Sequence, residues 1–202
     1  AKEMQNLRIL KKIGAFPFVP GIAVNTFWDL GINDFNTIWL HQQVAGKHRF
    51  IGYYESSGEG LAHYFNWLDR WRSLRSATWG THHAPHDIQT REIGSGKSRM
   101  ETAASLGINF ELVPNVDLGD GIDSARSFIS RCWFDREKTA RGRDALASYH
   151  RAYDAKRKIY SAVPVHDWSS DSADGYRYLA VGHRFSVPMR SEPIPASLAG
   201  DR

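Results

Sequence analysis

Ile22-Ala23-Val24-Asn25-Thr26-Phe27-Trp28-Asp29-Leu30-Gly31 is the stretch whose reading decides the fold. Ile22, Val24 and Thr26 alternate with Ala23, Asn25 and Phe27, the two-residue period of a strand, and turn chemistry follows at Gly31, Asn33 and Asp34. Asp29 therefore stands at the tip of a core strand. A charge buried there without a partner is costly, so the carboxylate needs a cation, a hydrogen-bond donor or water at the sheet edge. A turn-starting aspartate bonded to nearby amides meets the same need, and the rest of the chain weighs between the two readings.

Two more strand-like runs follow at about 35–44 and 48–55, across the short turns Gly31-Ile32-Asn33-Asp34 and Ala45-Gly46-Lys47. Phe35, Thr37, Trp39 and His41 share one face of the second run; Asn36, Ile38, Leu40 and Gln42 share the other. Three sequential strands with tight turns make an antiparallel meander. The period then changes. Leu61, Tyr64, Phe65, Leu68 and Trp71 recur at helical spacing between Gly60 and Leu74. A run from Ser76 to His83 leads into Pro85-His86-Asp87, and Ile108 to Val113 reads as a buried strand. Helices are expected at about 97–106, 121–133 and 137–155, a strand at about 158–163, and a helix capped by Ser169 or Ser170 through about Leu179.

Residues 1–20 read as a basic lead-in or linker, 21–182 as one domain, and 183–202, with Pro188, Pro193 and Pro195, as a loose tail. The expected architecture is a mixed α/β sheet, three antiparallel strands followed by parallel ones, with helices on its faces. Sites in such sheets lie at the carboxyl ends of parallel strands, and Asp29 and Asp87 both fall at strand ends. With 202 residues, 42% hydrophobic and 24% charged, the chain has the composition of an ordinary globular domain, and no apolar run reaches membrane-span length. The lone Cys132 excludes an internal disulfide, and a net charge of +4 permits nucleic-acid binding without requiring it.

A third carboxylate, Asp174, stands in Ser169-Ser170-Asp171-Ser172-Ala173-Asp174-Gly175-Tyr176-Arg177-Tyr178, flanking a helix face that Ala173, Tyr176 and Ala180 turn to the sheet. Arg177 is within pairing reach, so a plain surface ion pair is the simple alternative, and Asp171, one turn away, is a rival for the same role. Three converging carboxylates repel unless cations lie between them. Hard divalent ions such as magnesium or manganese suit all-oxygen ligands, and two of them about 3.5–4 Å apart activate water against a phosphodiester. Glu55, Glu59, Asp120 and Asp123 are further acids that the sequence does not rank.

Other signals are weaker. Gly94-Ser95-Gly96-Lys97-Ser98 ends like a phosphate-binding loop, but Arg91 occupies the place of its first glycine; contact of Lys97 and Arg99 with a DNA backbone is the preferred expectation. His82 and His86 are four apart, but with His83 and Pro85 between them they do not make the helical His-Glu-x-x-His pattern of a zinc site. Asp154-Ala155-Lys156 imitates part of a restriction-nuclease motif inside a stretch read as helical. Trp39, Trp67 and Trp71 read as core.

Taken together, these motifs resemble a family. Trp28-Asp29-Leu30-Gly31, with Asp34 and Thr37-Ile38-Trp39, resembles the opening of the nuclease domain of tailed-bacteriophage terminase large subunits. Pro85-His86-Asp87, then Gly94 to Arg99 and Glu101, resembles its second acidic motif and the loop behind it. Arg131-Cys132-Trp133-Phe134-Asp135 and His166-Asp167-Trp168-Ser169-Ser170 through Tyr178 resemble its last third. The likeness spans about 21–182 and departs at Gly175, where alanine is usual, and at Asp171, where histidine is common. It implies an RNase H-like fold and a divalent-metal-dependent endonuclease, using two magnesium or manganese ions, that cuts concatemeric double-stranded DNA during packaging in the host cytoplasm. By motif position it implies Asp29, Asp87 and Asp174 as catalytic metal ligands, with Asp171 a fourth candidate. It also implies that this chain is the C-terminal half of a protein whose N-terminal packaging ATPase precedes it, with portal protein and small terminase subunit as partners. A junction resolvase or ribonuclease H shares the same sheet and acids, and a non-catalytic module docking on DNA or portal is the contrasting reading.

Overall fold

The computed structural model describes residues 2–31, 35–92 and 96–186. The meander is present as β2 (Val24–Asp29), β3 (Asn36–Val44) and β4 (Lys47–Ser56), paired antiparallel with Asp29 opposite Thr37 and Thr37 opposite Glu55. β5 (Trp79–Ala84) joins β2 in parallel and β6 (Phe110–Leu112) joins β5; on the other side β7 (Cys132–Asp135) runs parallel to β4 and β1 (Ile13–Gly14) parallel to β7. The seven strands lie in the order β1-β7-β4-β3-β2-β5-β6, so β3 alone runs against the others. This is the expected mixed sheet of the RNase H-like class.

Helices α2 (Leu61–Ser73) and α3 (Arg99–Ser105) cover one face; α1 (Lys2–Ile9), α4 (Leu118–Phe128), α5 (Ala140–Ser148) and α6 (Ser170–Ser186) belong to the other. Strand alternation sends Val24 and Trp28 with Ile38 and Leu40 to the first core, against Tyr64, Phe65 and Leu68 of α2. It sends Phe27 with Trp39 to the second, against Phe128, Tyr176 and Leu179. Two glycines set the depth of that second layer. A Cβ on Gly142 would lie 2.4 Å from the Trp39 ring, and one on Gly175 would lie 3.0 Å from the Thr37 hydroxyl and 3.6 Å from the Asp29 amide. α5 therefore rests directly on the Trp39 and Tyr53 rings, and α6 comes close to the end of β2 itself.

Several expectations need correction. The lead-in is part of the packing: α1 buries Met4 and Leu7, and β1 completes the sheet edge. The helix expected through 133 ends at Phe128, and after a 3-10 turn the chain enters β7. The helix expected through 155 ends at Ser148; Arg151–Asp154 is β8, paired antiparallel with β9 (Ile159–Pro164), so Asp154-Ala155-Lys156 opens a hairpin turn. α6 continues past Leu179 to Ser186, into the expected tail, whose residues from 187 on lie outside the described residues, as do Ile32, Asn33 and Asp34.

Candidate active site

Asp29 is the last residue of β2 and points to the α6 side of the sheet, in step with Phe27. The first turn of α6 is fastened over it. Asp167 accepts hydrogen bonds from the Ser169 amide at 2.8 Å and the Ser169 hydroxyl at 2.6 Å, bonds that hold its carboxyl below the usual range. The Thr37 hydroxyl donates to the Asp171 carbonyl at 3.1 Å, and the Trp39 indole N–H donates to the Ser172 carbonyl at 2.9 Å. With Gly175 giving no side chain to hold the helix off, Asp171 and Asp174 are carried to the end of β2.

The consequence is electrostatic. Burial holds the Asp29 carboxyl well above the usual carboxylate range; Asp174, then Asp171, then Asp87 push the same way, and Arg177 opposes them. All four aspartates singled out in the sequence are thus electrostatic neighbours. They are differently held. Asp171 is buried and accepts from the Phe35 amide at 3.2 Å and the Ser170 hydroxyl at 3.3 Å. Asp174 accepts from the Arg177 Nε at 3.1 Å. Asp87 lies exposed in the single 3-10 turn His86–Gln89, which follows β5 and is anchored by the fully buried Ile88. Among the described residues, no three His, Cys, Asp or Glu side chains stand close enough together to hold one ion as they are placed. The donor set is nevertheless all oxygen, and three carboxylates add their negative charge to that of Asp29 against one opposing guanidinium, Arg177, an arrangement that suits a hard divalent cation.

One neighbour escaped the sequence reading, and another is held otherwise than expected. Tyr178 lies one turn beyond Asp174 and two beyond Asp171, a helical stripe the spacing alone could have flagged. Its hydroxyl pKa is pushed up by burial, then by the charges of Asp29 and Asp174. Arg99, expected at a DNA backbone, is instead mostly buried; it donates to the Leu30 carbonyl, just beyond Asp29, and pairs with Glu92 at 3.3 Å. It braces the loop after β2. Ser98 and Glu101 form a reciprocal cap on α3, so this helix start is closed by its own side chains; Gly94 and Ser95 lie outside the described residues.

The decoys resolve as packing. Burial, then His83, lowers the pKa of His82 to about 4, and its Nδ1 lies 2.7 Å from the Thr26 hydroxyl inside the sheet. Glu55 is held by the Tyr53 hydroxyl at 2.6 Å and Arg141 Nε at 2.7 Å, and Glu59 lies 3.6 Å from His63. Trp39 and Trp71 are buried in the two cores, with Trp67 half-buried against the first.

No protein-family model matches the sequence, and no curated protein matches it. Solved structures do share the fold. The nuclease domain of the P22 large terminase superposes with a TM-score of 0.64 at 16% identity, over 87% of this chain and 89% of that domain. The large terminase nuclease of thermophilic phage G20c gives 0.56 at 14% identity over 87% and 95%; its cobalt-bound and magnesium-bound forms give 0.51 and 0.52 at 15% identity, each over 84% and 94%. The large terminase of a second thermophilic bacteriophage, in complex with ADP, gives 0.63 at 16% identity, and there the match covers 84% of this chain but 42% of the other. The chain thus spans less than half of that terminase and has the RNase H-like fold of the phage terminase nuclease domains. No described helix is long and apolar enough to cross a membrane.

Proposed function

We propose that this chain is the nuclease domain of a phage packaging motor, an endonuclease that cleaves concatemeric double-stranded DNA with divalent metal. One observation carries the reading. Asp29, at the carboxyl end of a central strand, is ringed by Asp174, Asp171 and Asp87 in a fold shared with terminase nucleases, two forms of which hold cobalt and magnesium. Asp29, Asp87 and Asp174 are the residues to hold magnesium or manganese, two ions in the full site, with Asp171 as an additional oxygen donor. When bound, such ions lower the pKa of water and balance charge on a phosphodiester.

The chain's own groups supply the remainder. Asp29, held as a high-pKa carboxylate, is the anchoring ligand, and α6 brings Asp174 to it through the Gly175 contact. The Tyr178 hydroxyl, on which the charges of Asp29 and Asp174 act, would serve as a donor to a non-bridging oxygen of the scissile phosphate. Lys97, beside the α3 cap, holds the backbone without reading sequence. In the full protein we place an N-terminal packaging ATPase ahead of this domain, portal and small terminase subunit as partners, and the host cytoplasm as the place of action.

The test is cleavage of supercoiled plasmid, linear duplex, a four-way junction and an RNA–DNA hybrid in manganese, magnesium and EDTA. The proposal expects metal-dependent cutting of ordinary duplex. A strong preference for the junction or the hybrid would replace it with a resolvase or a ribonuclease H.

A further inference from the structure

Arg177 is mostly withdrawn from solvent, in the kind of partly buried ion pair that a planar, weakly hydrated guanidinium suits. Its side chain is 13% exposed, its Nε donates to Asp174 at 3.1 Å, and its guanidinium lies 4.8 Å from the Tyr178 ring. The space it occupies exists because of Gly121 on α4. A Cβ there would stand 2.9 Å from the Arg177 Cδ, 3.2 Å from Nη1 and 3.3 Å from Cγ, so any larger residue displaces the arginine. α4 and α6 thus form a slot fitted to one side chain. At its inner end Arg177 is the positive charge that opposes the three acids acting on Asp29. The other nearby arginines face elsewhere, Arg99 to Leu30 and Glu92, Arg141 to Glu55.

We propose that Arg177 is the resident counter-cation of the acid cluster, seated in the Gly121 slot, and that a divalent ion takes Asp174 from it. The proposal rests on reading the cluster as a metal centre. Without the ion, Arg177 offsets the mutual repulsion of Asp29, Asp171, Asp174 and Asp87, and it turns Asp174 toward itself. When an ion arrives it supplies the positive charge, and Asp174 changes partner. A fixed positive charge in contact with a ligand also lowers the affinity of any second cation. Arg177 therefore sets the metal concentration at which the site fills and keeps the unfilled site folded.

Calorimetric titration of magnesium chloride and manganese chloride into wild type, Arg177→Gln and Gly121→Ala, with thermal unfolding of each in EDTA, tests this without measuring cleavage. Arg177→Gln is expected to bind the ions about tenfold more tightly, a difference of about 1.4 kcal/mol, while melting lower in EDTA and recovering on metal addition. Gly121→Ala, which crowds the arginine without removing its charge, shifts affinity in the same direction by a smaller factor and decides the matter if the first variant does not fold. Unchanged or weaker ion binding in both variants would overturn the proposal and leave Arg177 a structural or ligand-orienting residue. Absence of ion binding by wild type would overturn the metal reading together with it.

Discussion

β2 serves two cores that ask opposite things of it. Toward α2 it presents Trp28, fully buried, edge-on to Phe110 at 5.3 Å, Phe65 at 5.9 Å and Tyr64 at 6.3 Å, with its indole N–H satisfied by Thr26 at 2.7 Å. That core is mostly apolar and aromatic, and its buried polar side chains are bonded, Thr26 to His82 and Trp28, and Asn36 to Tyr64. One position later the same strand presents Asp29 to α6, on a face where Thr37, His41, His48, Asp171 and Ser172 are buried as well. The first layer is held by area, the second by hydrogen bonds and by glycines that let helices approach. A site that gathers like charges is destabilised by them, and the adjoining dry core is what allows the fold to carry that load.

Breaking the comparison on the dry side has the largest effect. Trp28→Ala removes the centre of the aromatic cluster and is expected to lower unfolding free energy by about 3–5 kcal/mol, read by urea denaturation. Cleavage per folded molecule stays near wild type, because Asp29 is reached from the opposite face. Equal loss of both would mean the two layers are not separable.

Acid attacks the other layer. His41 and His48 lie together in it, with His41 Nε2 3.0 Å from His48 Nδ1 and the His183 ring 4.7 Å from that of His48. Burial, then His48, His183 and His83, lowers His41 to about 3; burial, then His183 and Arg131, lowers His48 to about 4. Because both pKa values are depressed, the unfolded chain binds more protons once pH falls below the ordinary imidazole value near 6.5. Their stabilising effect is complete above 6.5 and is lost as pH falls toward 4 and then 3, about 2 kcal/mol for one such group between pH 6.5 and 5. Asp29 runs the other way, since a raised carboxyl gains protons on folding. Thermal melts from pH 7.5 to 4.5 should fall with pH in wild type and fall less in His48→Gln; parallel curves would contradict the assignment.

Gly175→Ala sharpens the contrast most finely. The added methyl meets Thr37 Oγ1 at 3.0 Å and the Trp39 ring at 3.3 Å, a mild overpacking of about 1–3 kcal/mol, against a helix-propensity gain of about 1 kcal/mol. Stability should therefore change by only about 1 kcal/mol, while cleavage drops about tenfold, a cost of roughly 1.4 kcal/mol, as α6 lifts Asp174 from Asp29. Unchanged cleavage at unchanged stability would show that the close approach is not needed for the site.

What was legible in the sequence follows the same division. α2 announces itself by its single buried face, and the meander, although buried on both faces, by strand-forming residues set between short turns. β7 was hidden: four residues, Cys132–Asp135, following an amphipathic helix with no glycine or proline between. β8 is exposed along both faces, so no alternation marks it, and β1 is two residues long, whereas β9, though also largely exposed, falls on the strand expected at about 158–163. In the site, strand-end position singled out Asp29 and Asp87, and helix register placed Asp171 and Asp174. The Gly121 slot, the Gly175 contact and the Arg99 brace all depend on how closely separate elements approach, which no local pattern encodes.

On the proposed reading, Asp29 costs the fold stability and supplies its chemistry. Asp29→Asn, measured in one preparation for melting temperature in EDTA and for manganese-dependent plasmid nicking, puts both halves to the test. The prediction is a melting temperature above wild type, since a buried carboxylate among like charges becomes a neutral amide, together with a loss of nicking of at least about a hundredfold, roughly 2.7 kcal/mol. A variant that melts at or below the wild-type temperature and still nicks at the wild-type rate would contradict it.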